Sequence, residues 1–303
     1  MTIDEARMRI VTSIGTIYED DEAKNIAELI MEYVTNLPLI ERIVKKNEAL
    51  TPKQEEVLEQ ALRRLQNHEP VQYIINEAWF AGMKFYVDKN VLIPRPETEE
   101  LVDWIISDFK FHLPAGKAGI SDLEPNSQFQ IPNSRLLDVG TGSGCIAIAL
   151  KKNLPRAEVW ACDISDEALN IARMNADSLN TTIDFVRLNF LDREQRKQLP
   201  HIDIIVSNPP YVPHQDENKM KKNVTDYEPA TALFVSDNDP LIFYDVIADF
   251  GIEKLNKGGN IYVEVHEDLG EEVKKLFQSK GYSSIELKKD LQGKDRMVKA
   301  HFD

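Results

Sequence analysis

From Arg135 onward, short runs rich in Val, Ile and Leu alternate with longer stretches of helical texture, and this alternation leaves few folds open. Residues 136–139, 158–162, 185–188, 202–206 and 260–265 read as strands. Residues 145–152, 165–179, 240–255 and 271–280 read as helices. A strand that rejoins its sheet through a helix runs parallel to its predecessor, so the pattern predicts an α/β fold with a mostly parallel, doubly wound sheet. Two last strands, 284–288 and 296–302, follow one another.

The first predicted strand runs into Asp138-Val139-Gly140-Thr141-Gly142-Ser143-Gly144-Cys145. Glycine lets a backbone approach a ligand without a Cβ clash, and a glycine loop between a strand and a helix is the setting of a nucleotide-cofactor site. Asp163 ends the next strand, where a carboxylate can accept from both ribose hydroxyls. The spacing is G-x-G-x-G rather than the dinucleotide G-x-G-x-x-G. An adenosyl ligand without a pyrophosphate fits best, which points to S-adenosylmethionine held by residues 140–144 and Asp163. Asn189 and Phe190 follow the third strand. They read either as a contact to the edge and face of adenine or as a polar turn beside a core ring.

The fourth strand ends in Ser207-Asn208-Pro209-Pro210-Tyr211. Ligands bind at the carboxyl ends of strands in open α/β sheets. A residue before proline is pushed toward extended geometry, so Asn208 and Pro209 are both held stiffly. Neither proline carries an N–H that would compete for nearby acceptors. The Asn208 side-chain oxygen and the Pro209 carbonyl can then converge on a planar NH2 group, with Pro210 and Tyr211 packing beside it. The expected chemistry is methyl transfer to an amide or aryl amine nitrogen, driven by positioning and fixed dipoles.

Residues 1–76 read as a helical domain, with Ile26, Leu29, Ile30 and Tyr33 at helical spacing. Thr51-Pro52 marks a helix start. No catalytic constellation appears there, so the domain reads as a small bundle or as a docking unit for the substrate. Residues 77–95 read as a β-hairpin linker, with two strands around a turn at Asp88-Lys89-Asn90. Pro94-Arg95-Pro96-Glu97-Thr98 opens a helix, and is either only that or also part of a site wall. Residues 113–134 are rich in Pro, Gly, Ser and Asn and read as a long surface loop.

Charge and cysteine usage narrow the function. The net charge is −15, which lowers the expectation of nucleic-acid binding. Cys145 and Cys162 both lie in apolar stretches, as in a reduced cytoplasmic protein. The first ten residues suggest no secretory signal, and no stretch has the length and apolarity of a membrane span. The six histidines show no metal-ligand spacing, so no metal is expected.

"DVGTGSGCIAIAL", Asp163, "NPPY" and the upstream "VLIPRPETEELV" together resemble the PrmC/HemK protein-(glutamine-N5) methyltransferases. "EPVQYII", "YEPATAL" and "KDLQGKDRMVKA" extend the resemblance over nearly the whole chain. The resemblance implies a Rossmann-like class I methyltransferase of seven strands with the last reversed, spanning 96–303 behind the hairpin and a helical substrate-docking domain. It implies an S-adenosylmethionine-dependent enzyme that methylates the glutamine of the Gly-Gly-Gln motif in peptide chain release factors. Gly140 to Gly144, Asp163, Asn189, Phe190 and Asn208 would meet the cofactor. Asn208, Pro209, Pro210 and Tyr211 would hold the substrate amide. Family members often read E-I-G-x-x-Q-G after the sixth strand. Here the segment is Glu264-Val265-His266-Glu267-Asp268-Leu269-Gly270, and no role is assigned to it. The alternatives are a glutamine of a ribosomal protein, adenine-N6 of DNA, and a non-catalytic binding module.

Overall fold

The structure is a computed structural model that describes residues 1–111 and 134–303. All but the last residue of the loop expected over 113–134 therefore lies outside the described residues. The chain divides into two units, the smaller made of Met1–Ala78, Val87–Lys89 and Lys219–Glu228.

The smaller unit is helical. It contains α1 (Ile3–Ile14), α2 (Asp20–Thr35), α3 (Leu39–Val44), α4 (Pro52–Gln66) and α5 (Val71–Ile75). Thr51 accepts from the Gln54 amide and Gln54 reaches back, so the expected cap forms a full capping box with Pro52 in the first turn. Ile10, Ile14, Ile30, Leu58 and Leu65 are fully buried together, the outcome of apolar residues at three- and four-residue spacing. Each such side chain contributes about 1.5–3 kcal/mol of burial. The segment Lys219–Glu228, which the sequence assigned to the catalytic domain, belongs to this unit. Its Tyr227 hydroxyl donates to the Asn67 carbonyl at 2.6 Å.

The larger unit begins at Trp79, within a hairpin of β1 (Ala78–Phe80) and β2 (Met83–Phe85). Its turn is at Ala81-Gly82, where φ is +48° and +72°, and not at Asp88-Lys89-Asn90 as the sequence suggested. A tight hairpin turn wants two consecutive positive-φ residues, which Gly82 supplies freely and Ala81 tolerates. The polar triplet had the turn composition but not the place. There follow α6 (Pro96–Phe111), β3 (Arg135–Val139), α7 (Cys145–Asn153), β4 (Glu158–Asp163) and α8 (Asp166–Ser178). Next come β5 (Asp184–Arg187), α9 (Arg193–Arg196), β6 (Ile202–Ser207) and β7 (Val212–Pro213). After α10 (Lys222–Thr225), in the helical unit's segment, come α11 (Ala230–Leu233), β8 (Phe234–Val235) and α12 (Ile242–Lys254). The chain ends with β9 (Leu255–Glu264), α13 (Gly270–Ser279), β10 (Ser283–Lys289) and β11 (Asp295–His301).

Seven of these strands form one sheet in the order β10-β11-β9-β6-β3-β4-β5. β9, β6, β3, β4 and β5 pair in parallel, and β11 inserts antiparallel between β9 and β10. The expected mostly parallel seven-stranded sheet with a reversed last strand is what forms. Alternate residues of each strand enter opposite cores. Leu136, Val159, Ile204 and Val206 face α6, α7 and the hairpin. Leu137, Cys162, Ile205 and Val263 face α12 and α13. Burial on both faces explains why these strands read as continuous apolar runs.

β6 ends next to β3, and the strand order reverses between them: the next strand in sequence after β3 is its other neighbour, β4. That switch brings the turn after β3 and the turn after β6 to one edge of the sheet.

Candidate active site

The turn after β3 is built on three left-handed glycines. Gly140, Gly142 and Gly144 have φ of +74°, +53° and +81°. The Gly140 and Thr141 amides both donate to the Cys162 carbonyl, at 2.9 and 3.0 Å, which ties the loop to β4. Gly144 is closely packed: a Cβ there would stand 3.1 Å from the Ala172 Cβ, tighter than an ordinary contact. At Gly140 and Gly142 an added Cβ would meet nothing within 4 Å, so the loop keeps an open backbone face.

Beneath the loop, Asp138 is buried. Its Oδ2 accepts from the Thr141 hydroxyl at 2.6 Å and the Ala147 amide at 3.2 Å. Burial pushes its carboxyl up to about 7, against those two donors. Asp138 Oδ1 and Ser143 Oγ are buried without a hydrogen-bond partner. Asp163, at the end of β4, accepts from the Gly142 amide at 2.9 Å and the Ser165 amide at 3.0 Å. Burial raises its carboxyl above the usual range, and the two amides oppose that shift. Each carboxylate oxygen keeps a lone pair beyond these bonds. An open glycine backbone, two orphaned oxygens and an acid at the neighbouring strand end fit a polar, nucleoside-bearing cofactor.

A residue the sequence reading passed over secures this loop. Asn175 on α8 is buried, and its Nδ2 donates to the Ser143 carbonyl at 2.9 Å and the Tyr86 carbonyl at 3.0 Å. Its Oδ1 accepts from the Tyr86 amide at 2.7 Å. One amide thus joins the glycine loop to the chain leaving the hairpin.

Asn189 and Phe190 follow β5. Asn189 Oδ1 accepts from the Leu191 amide at 3.0 Å, closing a turn. Phe190 is buried edge-on to Phe250, with ring centroids 5.2 Å apart and the Arg196 guanidinium over its face. Core packing therefore holds this ring in place.

The turn after β6 carries Asn208, Pro209, Pro210 and Tyr211. The Ser207 hydroxyl donates to the Val139 carbonyl at 2.7 Å and pins the end of β6 to the end of β3. Pro209 is buried and Asn208 half-buried. Asn208 Nδ2 donates to Thr98 Oγ1 at 3.0 Å. The Thr98 hydroxyl donates to Glu264 Oε2 at 2.6 Å. The Tyr211 hydroxyl donates to the other oxygen, Glu264 Oε1, at 3.0 Å. Glu264 and Thr98 are 1% and 2% exposed, so the network is sealed from water on its inner side. Burial raises the Glu264 carboxyl, and the Thr98 and Tyr211 hydroxyls and nearby Arg296 counter it. Burial, and then the neighbouring Glu264, push the Tyr211 phenol well above its usual value, so Tyr211 stays a donor.

This network shows that "RPET" is both a helix start and part of the site. The Thr98 amide donates to the Arg95 carbonyl at 3.1 Å in the first turn of α6, while its hydroxyl links Asn208 to Glu264. The segment given no role after the sixth strand supplies Glu264, and its His266 ring lies 6.1 Å from that of Tyr211. Among the described residues no group of three or more His, Cys, Asp or Glu is placed to hold a metal ion. None of the described helices is long and apolar enough to cross a membrane.

Comparison with known proteins agrees with this geometry. Residues 16–75 match the PrmC N-terminal domain, and residues 121–227 match the Methyltransferase small domain. The chain is 40% identical over 302 residues to the release factor glutamine methyltransferase of Flavobacterium psychrophilum, covering 100% of both chains. It is 40% identical over 289 residues to that of Bacteroides thetaiotaomicron, covering 95% of this chain and 96% of the relative. The enzyme of the same name from Lactococcus lactis is 34% identical, covering 95% of this chain and 98% of the relative. Among solved structures, the hMettl16 catalytic domain in complex with a 3′UTR hairpin superposes with a TM-score of 0.53. It is 16% identical, over 82% of this chain and 81% of that one, and so supports the class I methyltransferase fold alone. The glycine loop, the Asn208–Tyr211 turn and this full-length identity lead to one conclusion: the chain belongs to the release factor glutamine methyltransferase family.

Proposed function

We propose that this protein transfers a methyl group from S-adenosylmethionine to the side-chain amide nitrogen of the Gly-Gly-Gln glutamine in peptide chain release factors. The single observation that carries the reading is the Asn208 amide, whose nitrogen is occupied by Thr98, so that its oxygen is the end left for a substrate.

S-adenosylmethionine, when bound, supplies the methyl as an electrophile on a sulfonium. Gly140, Thr141, Gly142, Ser143 and Gly144 are assigned to its amino-acid and adenosyl portions, Asp163 to the ribose hydroxyls, and Asn189 and Phe190 to the adenine end. Asn208 Oδ1 and the Pro209 carbonyl accept the two amide hydrogens of the glutamine, with Pro210 and Tyr211 against its flat face.

An amide nitrogen is a weak nucleophile because its lone pair is delocalised into the carbonyl. Two fixed acceptors hold it in place and favour the positive charge that grows on nitrogen as the N–C bond forms and the S–C bond breaks. The nitrogen then loses one proton to solvent water, leaving the N5-methyl amide, and the cofactor would leave as the neutral thioether. No general base is needed in this picture.

The helical unit, which carries no chemistry of its own, is assigned to docking the protein substrate, and the reaction to the cytoplasm where release factors act. Asn208→Ala should keep S-adenosylmethionine affinity within about twofold and lower turnover by about 100-fold or more. Calorimetric titration with single-turnover methylation separates the two. A folded variant that lost cofactor binding as well would assign Asn208 a structural part instead.

A further inference from the structure

We propose that Glu264 is a positioning residue: its carboxylate, acting through the Thr98 hydroxyl, fixes which end of the Asn208 amide faces the substrate. The inference rests on the amide-methylation reading above and deepens it.

A primary amide is nearly symmetric in shape, so packing cannot tell its oxygen from its nitrogen. Something must break the tie. A carboxylate is acceptor-only, whereas a hydroxyl has one hydrogen to give and lone pairs to receive with. Glu264 Oε2 takes the Thr98 hydrogen at 2.6 Å. Thr98 Oγ1 is then committed as an acceptor toward Asn208, 3.0 Å away. Only the NH2 end of Asn208 satisfies it; the flipped amide would set two acceptors against each other. Oδ1 is therefore turned toward the substrate. Glu264 Oε1 meanwhile takes the Tyr211 hydrogen, which fixes the far end of the turn through the same carboxylate.

The groups that face Glu264 come from every neighbouring element. They are Thr98 and Glu97 of α6, Tyr211 of the β6 turn, Tyr244 of α12 and Arg296 of β11. The Tyr244 hydroxyl donates to the Glu264 backbone carbonyl at 3.1 Å and so holds the residue's main chain. Burial leaves the carboxyl raised despite the donors. Once protonated, it becomes a donor to one of its two hydroxyl partners. If that partner is Thr98, the Thr98 hydrogen swings to Asn208 and Oδ1 is drawn away from the substrate. Turnover should accordingly fall at an acid limb above the ordinary carboxylate range.

The test uses the full-length enzyme, S-adenosylmethionine and a purified release factor, with Thr98→Val, Thr98→Ser, Glu264→Gln and Asn208→Ala. Thr98→Val keeps the shape and removes the hydroxyl. It should lower kcat by about tenfold or more with cofactor affinity within about twofold, and Thr98→Ser should recover most of that loss. Glu264→Gln, a neutral amide that cannot accept from both hydroxyls, should lower kcat similarly and abolish the acid limb of the pH profile. If Thr98→Val or Glu264→Gln turned over within about twofold of wild type while Asn208→Ala was inactive, the positioning proposal would fall and the amide site would stand. An acid limb that persisted unchanged in Glu264→Gln, or a Thr98→Ser no better than Thr98→Val, would also overturn it. Should Asn208→Ala itself turn over at the wild-type rate, both the site and the positioning proposal fall. The pH profile of Glu264→Gln decides independently if a Thr98 variant fails to fold.

Discussion

Asn208 lies between a strand and a proline, and its geometry is set from both sides: Ser207 is tied to β3, and Thr98 holds its side-chain nitrogen. Two other residues of the site carry measurable consequences. Gly144 has φ +81° and a Cβ there would crowd Ala172 and Ile148, so Gly144→Ala should destabilise by about 2–4 kcal/mol, read as a shift in denaturation midpoint. Asp138 titrates differently in the folded and unfolded chains. Its folded carboxyl, pushed up to about 7 by burial, holds a proton that the unfolded chain has lost. The favourable contribution is complete below about pH 4 and disappears as pH rises through about 7. Relative to Asp138→Asn, wild type should lose about 2–4 kcal/mol across that window and nothing more above it, measured by urea unfolding at a series of pH values. Not all of this chemistry was legible in the sequence. Glycines, an acid at a strand end and a double proline announce themselves by local backbone needs. Thr98 and Glu264 do not, because their partnership spans 166 residues and each is also explained by its own element, a helix start and a strand end.

At the scale of elements, the central strands β3 and β6 were readable because both their faces are buried and their side chains are mostly apolar. The β9 strand was the exception. It begins at Leu255, before the Gly258-Gly259 pair that reads locally as a turn. The hairpin was found but its turn misplaced, since Ala81-Gly82 is a weak compositional signal beside Asp88-Lys89-Asn90. The short elements between Val212 and Val235 were not foreseen at all: β7, the 3-10 turn His214–Lys219, α10, α11 and β8 are too brief to show a period. The helix α8 does more than cover the sheet. Through Asn175 it satisfies the Ser143 carbonyl and both backbone groups of Tyr86. Asn175→Leu should therefore cost about 2–4 kcal/mol and weaken cofactor binding, since it removes three hydrogen bonds that hold the loop. An unchanged denaturation midpoint would show that water or rearrangement replaces all three bonds.

At the scale of the molecule, the net charge of −15 and the division into a helical and a catalytic unit bear on substrate choice. A substrate-docking helical unit implies that a whole release factor is methylated with kcat/KM about 100-fold or more above that of a short Gly-Gly-Gln peptide. Equal values for the two would remove the docking assignment. Because Lys219–Glu228 packs in the helical unit, truncating residues 1–75 would strip that segment of its neighbours, and comparing substrates on the intact chain avoids the difficulty. The negative charge also predicts no salt-sensitive retention of the protein on duplex DNA. The most direct measurement incubates the intact protein with methyl-labelled S-adenosylmethionine, a purified release factor and duplex DNA in parallel, and then maps the label by peptide mass spectrometry. The expected result is one methyl on the side-chain nitrogen of the Gly-Gly-Gln glutamine, absent with Asn208→Ala, and no label in DNA. Label in the DNA, or on another residue of the factor, would contradict the assignment of this site to a glutamine amide.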